Sequence, residues 1–502
     1  MAAAVLPPVR SPAAGAVRAG AVTAVVCLAL AAVVAAMSSL NVALPGIARA
    51  THASQTQLAW IIDAYSLVFA SLLLPAGAIG DRYGRRRALT AGLLIFGAGS
   101  AVAMTAHSAS ELIGLRAVMG LGAALVMPAT LSTITGTFAR EQRTRAVSVW
   151  AAVAGGAAVL GLLVSGLVLQ VWSWPSVFAL NVVLAAAAVA GTIRFVPESA
   201  DPKTPRLDVS GAVLAVLGLV AVVYSIIEAP SQGWLSARTL AGLAAGLVIL
   251  AGFVVWELRR RAPMIDPRVF ARRGLAAGSL SIFVQFFALF GFIFIVLQYL
   301  QLIRGDSGLV SALSMLPMAA AMLPTSRLAP ALVARLGART ACAAGLALIA
   351  GALVVLAQLT PASGNWLLAA GLVPLGIGMG LAMTPATSGI TSALPAAQQG
   401  VASALNDLSR EVGGAVGIAV LASVLTAAYQ ANLHLTRLPA AVVRQARSSV
   451  AVATRLGPAA AAQAHGAFAD GMHLALYIAS GIVIAAAVAV AVLLRGPGPR
   501  ES

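Results

Sequence analysis

The sequence predicts an all-α integral membrane protein, and three observations support this fold class. Of the 502 residues, 60% are hydrophobic and 9% are charged, whereas soluble domains carry about 25% charged residues. The mean hydropathy is +0.95. The apolar residues form long runs, and about 20 apolar residues in a helix cross a bilayer core. Fourteen such runs divide the chain, so we expect fourteen transmembrane helices.

Short polar segments separate the predicted helices, whose approximate spans are 21–46, 56–79, 87–107, 110–135, 144–170, 175–197, 208–229, 237–258, 274–303, 307–336, 338–360, 366–392, 401–430 and 470–494. Two charged, proline-containing stretches flank the seventh and eighth helices. We therefore expect an N-terminal six-helix bundle over 1–200 and a linker with a two-helix insert over 201–262. A C-terminal six-helix bundle over 263–502 would include a long outer loop at about 431–469.

The net charge of +17 reflects membrane topology rather than nucleic-acid binding. If the N-terminus is cytoplasmic, most of the 32 basic residues fall in the inside segments. That asymmetry follows the positive-inside rule and places both termini in the cytoplasm. No nucleic-acid partner is expected, and the partners are a small-molecule substrate, protons and the lipid bilayer, with the protein as a monomer.

No catalytic, metal or cofactor site is expected. The two cysteines lie far apart in predicted helices, and the five histidines lack the spacing of a zinc protease. The chain has no Walker-type phosphate loop, which argues against an ATP-driven pump in one chain. We therefore do not expect an enzyme.

The tract "GAIGDRYGRRR", residues 77–87, lies between two apolar runs. Gly77 allows close helix approach and Gly84 a tight turn, while Asp81 can bind a helix N-terminus or pair with an arginine. Such a tract would clasp one bundle against the other on the inside, or it would only set topology. A similar tract, "PALVARLGARTACAAG" at 330–345, indicates a weak internal repeat of the kind found in transporters.

Several segments together resemble the major facilitator superfamily, and within it the fourteen-helix drug:proton antiporter branch. They are the tract at 77–87, "LIGLRAVMGLGAA" at 112–124, "SLNVALPGIA" at 39–48, "AWIIDAYSLVFASLLLPAG" at 59–77, "VWSWPSVFALN" at 171–181, "VLQYLQ" at 296–301 and "ALNDLSREVGGAVGIAVL" at 404–421. The resemblance implies the major facilitator fold in a bacterial plasma membrane. It also implies export of hydrophobic, often cationic compounds by proton antiport, and a gate motif formed by Gly77, Asp81, Arg82, Gly84, Arg85 and Arg86.

Two positions depart from the pattern of that branch. Ala36 stands where the first helix usually carries an aspartate, and Leu162 replaces the proline of the fifth-helix motif, with Ser165 in place of a glycine. Both departures weaken the expectation of proton antiport. They favour an alternative within transport, an exporter or facilitator for one endogenous lipid or secondary metabolite with altered coupling. A non-transporting membrane sensor or scaffold is the alternative of another class.

Ionisable residues inside predicted helices are candidates for proton coupling, because charge in hydrocarbon is costly. Asp63 lies one turn inside Trp60, which marks the outer interface, and is either a proton carrier or a water-exposed carboxylate. Arg116 either takes part in coupling, as the resemblance implies, or forms a structural ion pair. Asp407, Arg410 and Glu411 share about one turn. They form either a proton-responsive cluster, with Glu411 the deeper acid, or a local pair near the cytoplasmic end.

Sparse polar residues among aromatic side chains suit a cavity for an apolar cation. The phenylalanines of the ninth helix equally suit packing against lipid. The candidates for the substrate cavity are Asn41, Tyr65, Gln285, Gln298, Gln301 and Asn406.

Overall fold

The computed structural model describes residues 12–138, 140–200, 208–260, 263, 266–394, 399–435 and 438–495. These residues form helices and connections without strands, and eleven of the helices are long and apolar enough to cross a membrane. The prediction of an all-α, multi-pass membrane protein is confirmed. The predicted boundaries at 201 and 262 lie outside the described residues.

The helices follow one another with short connections. They are α1 (Pro12–Thr51), α2 (Gln55–Tyr83), α3 (Arg85–Ala103), α4 (Ala109–Thr137), α5 (Arg140–Val171), α6 (Pro175–Phe195), α7 (Val209–Gln232), α8 (Ala237–Arg259), α9 (Arg273–Gln298), α10 (Gly308–Leu313), α11 (Leu316–Leu356), α12 (Asn365–Ser392), α13 (Gln399–Asn432), α14 (Ala440–Ser448), α15 (Val450–Ala453) and α16 (Pro458–Leu493). A 3₁₀ turn, Pro267–Ala271, precedes α9, and a π-helical turn, Tyr299–Ile303, extends it.

The helices pack in two groups with an insert between them. Helices α1–α6 pack on one another, and so do α9, α11–α13 and α16. We call the end of the molecule where α1 meets α2 the α1–α2 end, and the opposite end the α2–α3 end. The polar connections cover these ends, and many large apolar side chains along the helices are exposed, as expected for a lipid-facing surface.

The internal repeat has a structural counterpart in matched glycines. Gly84 (φ +121°) and Gly337 (φ +80°) occupy the same position of the two similar tracts, and each separates two helical segments. Eight residues later in each tract, Gly92 and Gly345 allow a close helix crossing. A Cβ on Gly92 would lie 2.7 Å from the Gly122 oxygen. A Cβ on Gly345 would lie 2.8 Å from the Gly378 oxygen, so both crossings depend on the absence of a side chain.

The two groups contact each other at the α1–α2 end. Gly166 of α5 packs against the backbone of α10, where an added Cβ would lie 2.8 Å from Leu309 Cα. Gln301 Nε2 donates to the Val42 oxygen of α1 across 3.1 Å. These approaches join the groups through backbone atoms, so the α1–α2 end is closed.

The segment predicted as a long loop at about 431–469 is largely helical, which corrects the sequence prediction. It contains α14, α15 and the first three turns of α16, which begins at Pro458 rather than at residue 470. Tyr429 of α13 donates to the Ala446 oxygen of α14 across 2.9 Å, and α15 packs on α1. The segment therefore covers the α1–α2 end.

The insert, α7 and α8, is attached to both groups through α7. Trp60 Nε1 of α2 donates to Glu228 Oε1 of α7 across 3.1 Å. Ser423 Oγ of α13 donates to the Ile226 oxygen of α7 across 2.7 Å. Glu228 was not among the predicted functional residues, although an acid near the end of an apolar helix is a signal for such a residue.

At the α2–α3 end, Asp208 joins the two helices of the insert. It caps α7 by accepting from the Gly211 amide, and it also accepts from Trp256 Nε1 and from Arg260. Burial acts to raise the pKa of the Asp208 carboxyl, but these hydrogen bonds outweigh it, so the pKa lies below its ordinary value. A carboxyl with a lowered pKa stabilises the folded state while it is ionised.

We expect Asp208→Asn to lower the thermal unfolding midpoint of the detergent-purified protein by about 3 °C at pH 7. The deficit should shrink as the pH falls below the ordinary aspartate pKa of about 4 and vanish below the lower pKa of the folded state, because the folded wild-type carboxyl has then lost its charge. Asp266→Asn is the matched control. Asp266 likewise caps a helical segment, the 3₁₀ turn that precedes α9, but its side chain is more exposed than that of Asp208. A deficit that does not change with pH would contradict this account.

Candidate functional site: a buried charge network

The buried guanidinium of Arg116 is held by α2. It is 1% exposed, its Nε donates to the Ile61 oxygen across 2.9 Å, and its Cζ lies 4.1 Å from the centre of the Tyr65 ring. Within the described part of the chain its Nη1 and Nη2 have no hydrogen-bond partner. No acid described in the structure pairs with Arg116, so the geometry does not support the alternative of a structural ion pair.

Two glycines of the "LIGLRAVMGLGAA" segment bring Arg116 to this position. A Cβ on Gly120 would lie 2.5 Å from the Tyr65 oxygen, so α4 can approach α2 only with glycine there. A Cβ on Gly122 would lie 2.6 Å from the Gly92 oxygen of α3. Tyr65 is fixed in turn, because its hydroxyl donates to the Val33 oxygen of α1 across 3.1 Å.

Asp63 is completely buried. Neither of its carboxylate oxygens has a hydrogen-bond partner among the described residues. The alternative of a water-exposed carboxylate at the helix end is therefore wrong. An ionised carboxylate without partners is costly in such a site, whereas a protonated one is tolerated.

The acids of α13 surround Arg410. Arg410 Nη2 lies 3.5 Å from Asp407 Oδ1, and Arg410 Nε lies 3.2 Å from Glu411 Oε1. Glu411 is the more deeply buried acid, with 2% of its side chain exposed against 16% for Asp407. Its Oε2 has no partner within the described ranges. The local Asp407–Arg410 pair and a three-membered cluster are thus both present.

The cluster lies on α13, which packs against α2 of the first helix group. Arg410 Cζ is 5.7 Å from the centre of the Phe286 ring on α9. Phe286 was one of several phenylalanines in the ninth predicted helix, and only the structure singles it out.

Three of the substrate-cavity candidates are fully enclosed by other residues in this conformation. Tyr65, Gln285 and Gln298 are completely buried. Gln285 Nε2 donates to Ser281 and Gln298 Nε2 to the Phe294 oxygen. The Oε1 atom of each glutamine is buried without a partner in the part of the chain that the structure describes.

The other three candidates differ from one another in burial and in their contacts. Asn41 is 7% exposed and donates to the Met37 oxygen. Asn406 Oδ1 accepts from Thr387 Oγ1 of α12 across 3.1 Å. Gln301 belongs to the closure at the α1–α2 end and to a cavity of about 790 Å³ whose walls contain none of the five proton-coupling candidates.

The gate tract bonds within its own helix group. Asp81 Oδ1 pairs with Arg85 Nε across 2.8 Å. The Arg86 amide donates to Glu198 Oε1, and its side chain donates to the Ile193 oxygen of α6. Arg82 packs over the Tyr83 ring. Gly77 packs against Pro128 of α4, and a Cβ on Gly84 would meet Glu198. Asp81 thus pairs with an arginine, and among the described residues no hydrogen bond or ion pair joins this tract to the second group.

The two departures from the family pattern lie at the crossing of α1 and α5. Ala36 and Leu162 are buried in the core, and Ser165 Oγ donates to the Ser39 oxygen across 2.8 Å. The serine thus adds a hydrogen bond between the helices. No carboxyl group is present at Ala36, and Asp63 is the one buried acid among the described side chains of the first group.

Several curated proteins to which the chain is similar are named for drug efflux, resistance or export. It is 34% identical over 470 residues to the multidrug efflux pump LfrA of Mycolicibacterium smegmatis, which covers 91% of this chain and 92% of that protein. It is 34% identical to the methyl viologen resistance protein SmvA of Salmonella typhimurium, with 83% and 85% covered. It is 30% identical to the tetracenomycin C resistance and export protein of Streptomyces glaucescens, with 92% and 88% covered.

The fold resembles that of solved transporters. A bacterial homologue of the human lysosomal transporter Spinster matches with a TM-score of 0.64 at 15% identity, and the match covers 95% of this chain and 97% of that structure. The family pattern described as Major Facilitator Superfamily matches residues 26–418. With these matches the resemblance read from the motifs is confirmed, and the chain belongs to the Major Facilitator Superfamily.

Proposed function

We propose that the chain exports hydrophobic or cationic small molecules across a bacterial plasma membrane by proton antiport. The observation that carries the proposal is a pair of buried carboxyl groups, Asp63 and Glu411, each with an oxygen that has no partner among the described residues. Acids in a membrane core mark proton pathways. The names of the multidrug and methyl viologen resistance relatives support drugs and cations as the substrate class.

We propose fourteen crossings, with both termini in the cytoplasm and the α1–α2 end outside. The eleven long apolar helices become fourteen when α3 and α5 are added and α11 is divided at Gly337. The distribution of basic residues supports the orientation. The packing of α1–α6 and of α9, α11–α13 and α16 supports a division into bundles at 1–200 and 263–502, with the insert at 201–262. The closed α1–α2 end then corresponds to a state open to the cytoplasm.

Proton exchange in this scheme needs no cofactor. With the outer end closed, Asp63 is protonated, because its site offers no partner for a charge. In antiport, Asp63 takes up this proton while the outer end is open, and hydration of its site from the cytoplasmic side would then release the proton to the cytoplasm. The Arg116 guanidinium packs over the Tyr65 ring of α2, the helix that carries Asp63, and places a positive charge in the first helix group.

Everted membrane vesicles test this function. We expect ethidium to trigger proton release from energised vesicles that contain the protein, and no release from vesicles without it. Glu411→Gln should reduce the release about tenfold or more, because it removes one of the two acids. Release that is equal with and without the protein would contradict the proposal.

The second candidate is an exporter dedicated to one endogenous metabolite with altered coupling. Ala36, buried where the branch usually has an acid, favours it, as does the likeness to an export protein for tetracenomycin C. This alternative predicts no proton movement with any lipophilic cation. It also predicts protection of the host against a single aromatic natural product.

A further inference from the structure

One residue of the cluster on α13 has a charge opposite to that of its neighbours. Arg410 is tethered between Asp407 and Glu411, at 3.5 and 3.2 Å. Its side chain is 19% exposed and that of Asp407 is 16% exposed, so neither is fully buried. A guanidinium thus already occupies the position that a cationic substrate would take beside these acids.

The surroundings contribute an aromatic face, neutral polar groups and one positive charge. Arg410 lies 5.7 Å from the centre of the Phe286 ring, and Phe290 meets Phe286 edge-on with centroids 5.6 Å apart. Asn406 of α13 accepts from Thr387 of α12, and both are neutral. From α2 and α4, Tyr65 and the protonated Asp63 are neutral, and Arg116 adds one positive charge.

The formal charge of the cluster is −1 when both acids are ionised, from two carboxylates and one guanidinium. One proton or one monovalent cation neutralises it, whereas a dication leaves a positive excess next to Arg410. Like charges about 4 Å apart repel by several kcal/mol at an effective dielectric constant near 20.

We propose that Arg410 is a specificity-determining residue that limits this site to a single positive charge and so discriminates against dications. The inference rests on the proposed function, because it assumes that cations bind between the two helix groups. Phe286 supplies the face on which a planar aromatic cation stacks. The proton and the monovalent cation then compete to neutralise the single net negative charge of the cluster.

Ethidium and propidium test this inference, because they share one ring system and carry one and two positive charges. Their binding to the purified protein in lipid nanodiscs is measured by fluorescence anisotropy. Arg410→Gln should raise the affinity for propidium relative to ethidium about tenfold. Arg410→Lys keeps the charge and should leave the ratio near that of the wild type. Phe286→Leu should weaken the binding of both dyes to the same extent.

The outcomes separate this inference from the proposed function. If wild-type vesicles release protons on addition of ethidium but Arg410→Gln leaves the affinity ratio unchanged, the role of Arg410 is wrong and the export function stands. If wild type neither binds ethidium nor releases protons, the function itself is wrong. Should Arg410→Gln fail to fold, Asp407→Asn provides the opposite test. Asp407→Asn must weaken the binding of propidium more than that of ethidium, and an equal effect on the binding of both dyes overturns the inference.

Discussion

Asp63→Asn is expected to abolish ethidium-triggered proton release from everted vesicles, with a fall of about 100-fold in the initial rate. The asparagine is close in shape to the protonated acid and carries no charge, so binding of ethidium should remain. Asp63 is completely buried, and its carboxylate has no partner in the described chain. Removal of its ability to ionise should therefore leave the fold intact.

Two controls distinguish a proton carrier from a structural residue. Asp63→Glu keeps an ionisable carboxyl group and should retain part of the proton flux. Asp470→Asn removes an exposed acid of α16 and should change neither flux nor stability. The thermal unfolding midpoint of Asp63→Asn should equal or exceed that of wild type, because the substitution removes a buried ionisable group and breaks no hydrogen bond among the described residues. Proton release that survives in Asp63→Asn would move the carrier to Asp407 or Glu411.

The sequence identified the ionisable residues of the site but not their partners. Asp63, Arg116 and Glu411 are conspicuous because a charge inside an apolar run is rare. The partners of Arg116 and Tyr65 are the backbone oxygens of Ile61 and Val33. The residue types do not indicate which backbone oxygen accepts a hydrogen bond. The network that connects α1, α2 and α4 therefore became visible only in the structure.

Hydropathy found the helices that face lipid and failed where a helix is amphipathic. The α14 segment, Ala440–Ser448, contains Arg444 and Arg447 and is therefore too polar for a transmembrane window. It folds as a helix because one face packs on the protein, with Ala446 completely buried beneath Tyr429. Tertiary packing of this kind is set by residues distant in sequence, and for this reason the segment was predicted as a loop.

Gly166→Leu is expected to hold the outer end open and to stop transport. At Gly166 the backbones of α5 and α10 touch, and a Cβ would lie 2.8 Å from Leu309 Cα and 2.9 Å from the Gly308 oxygen. Backbone atoms cannot rotate away as a side chain does, so the two helix groups must separate there. The closed state then becomes unfavourable relative to the open one, and the population shifts by about 100-fold for about 3 kcal/mol of overlap.

A cysteine at Val42 reports which state is populated. Val42 lies beneath the closure, where its oxygen accepts from Gln301 and its side chain is 1% exposed. A membrane-impermeant maleimide added from outside should label Val42→Cys slowly in the wild-type background and rapidly with Gly166→Leu. The two native cysteines are buried and contribute little background. Gly156→Leu is the matched control on the same helix, because nothing lies within 4 Å of an added Cβ there. Equal labelling in all three backgrounds would mean that the contact between α5 and α10 does not close the outer end. Rapid labelling confined to Gly166→Leu, together with loss of ethidium export, would show that this glycine sets the balance between the two states.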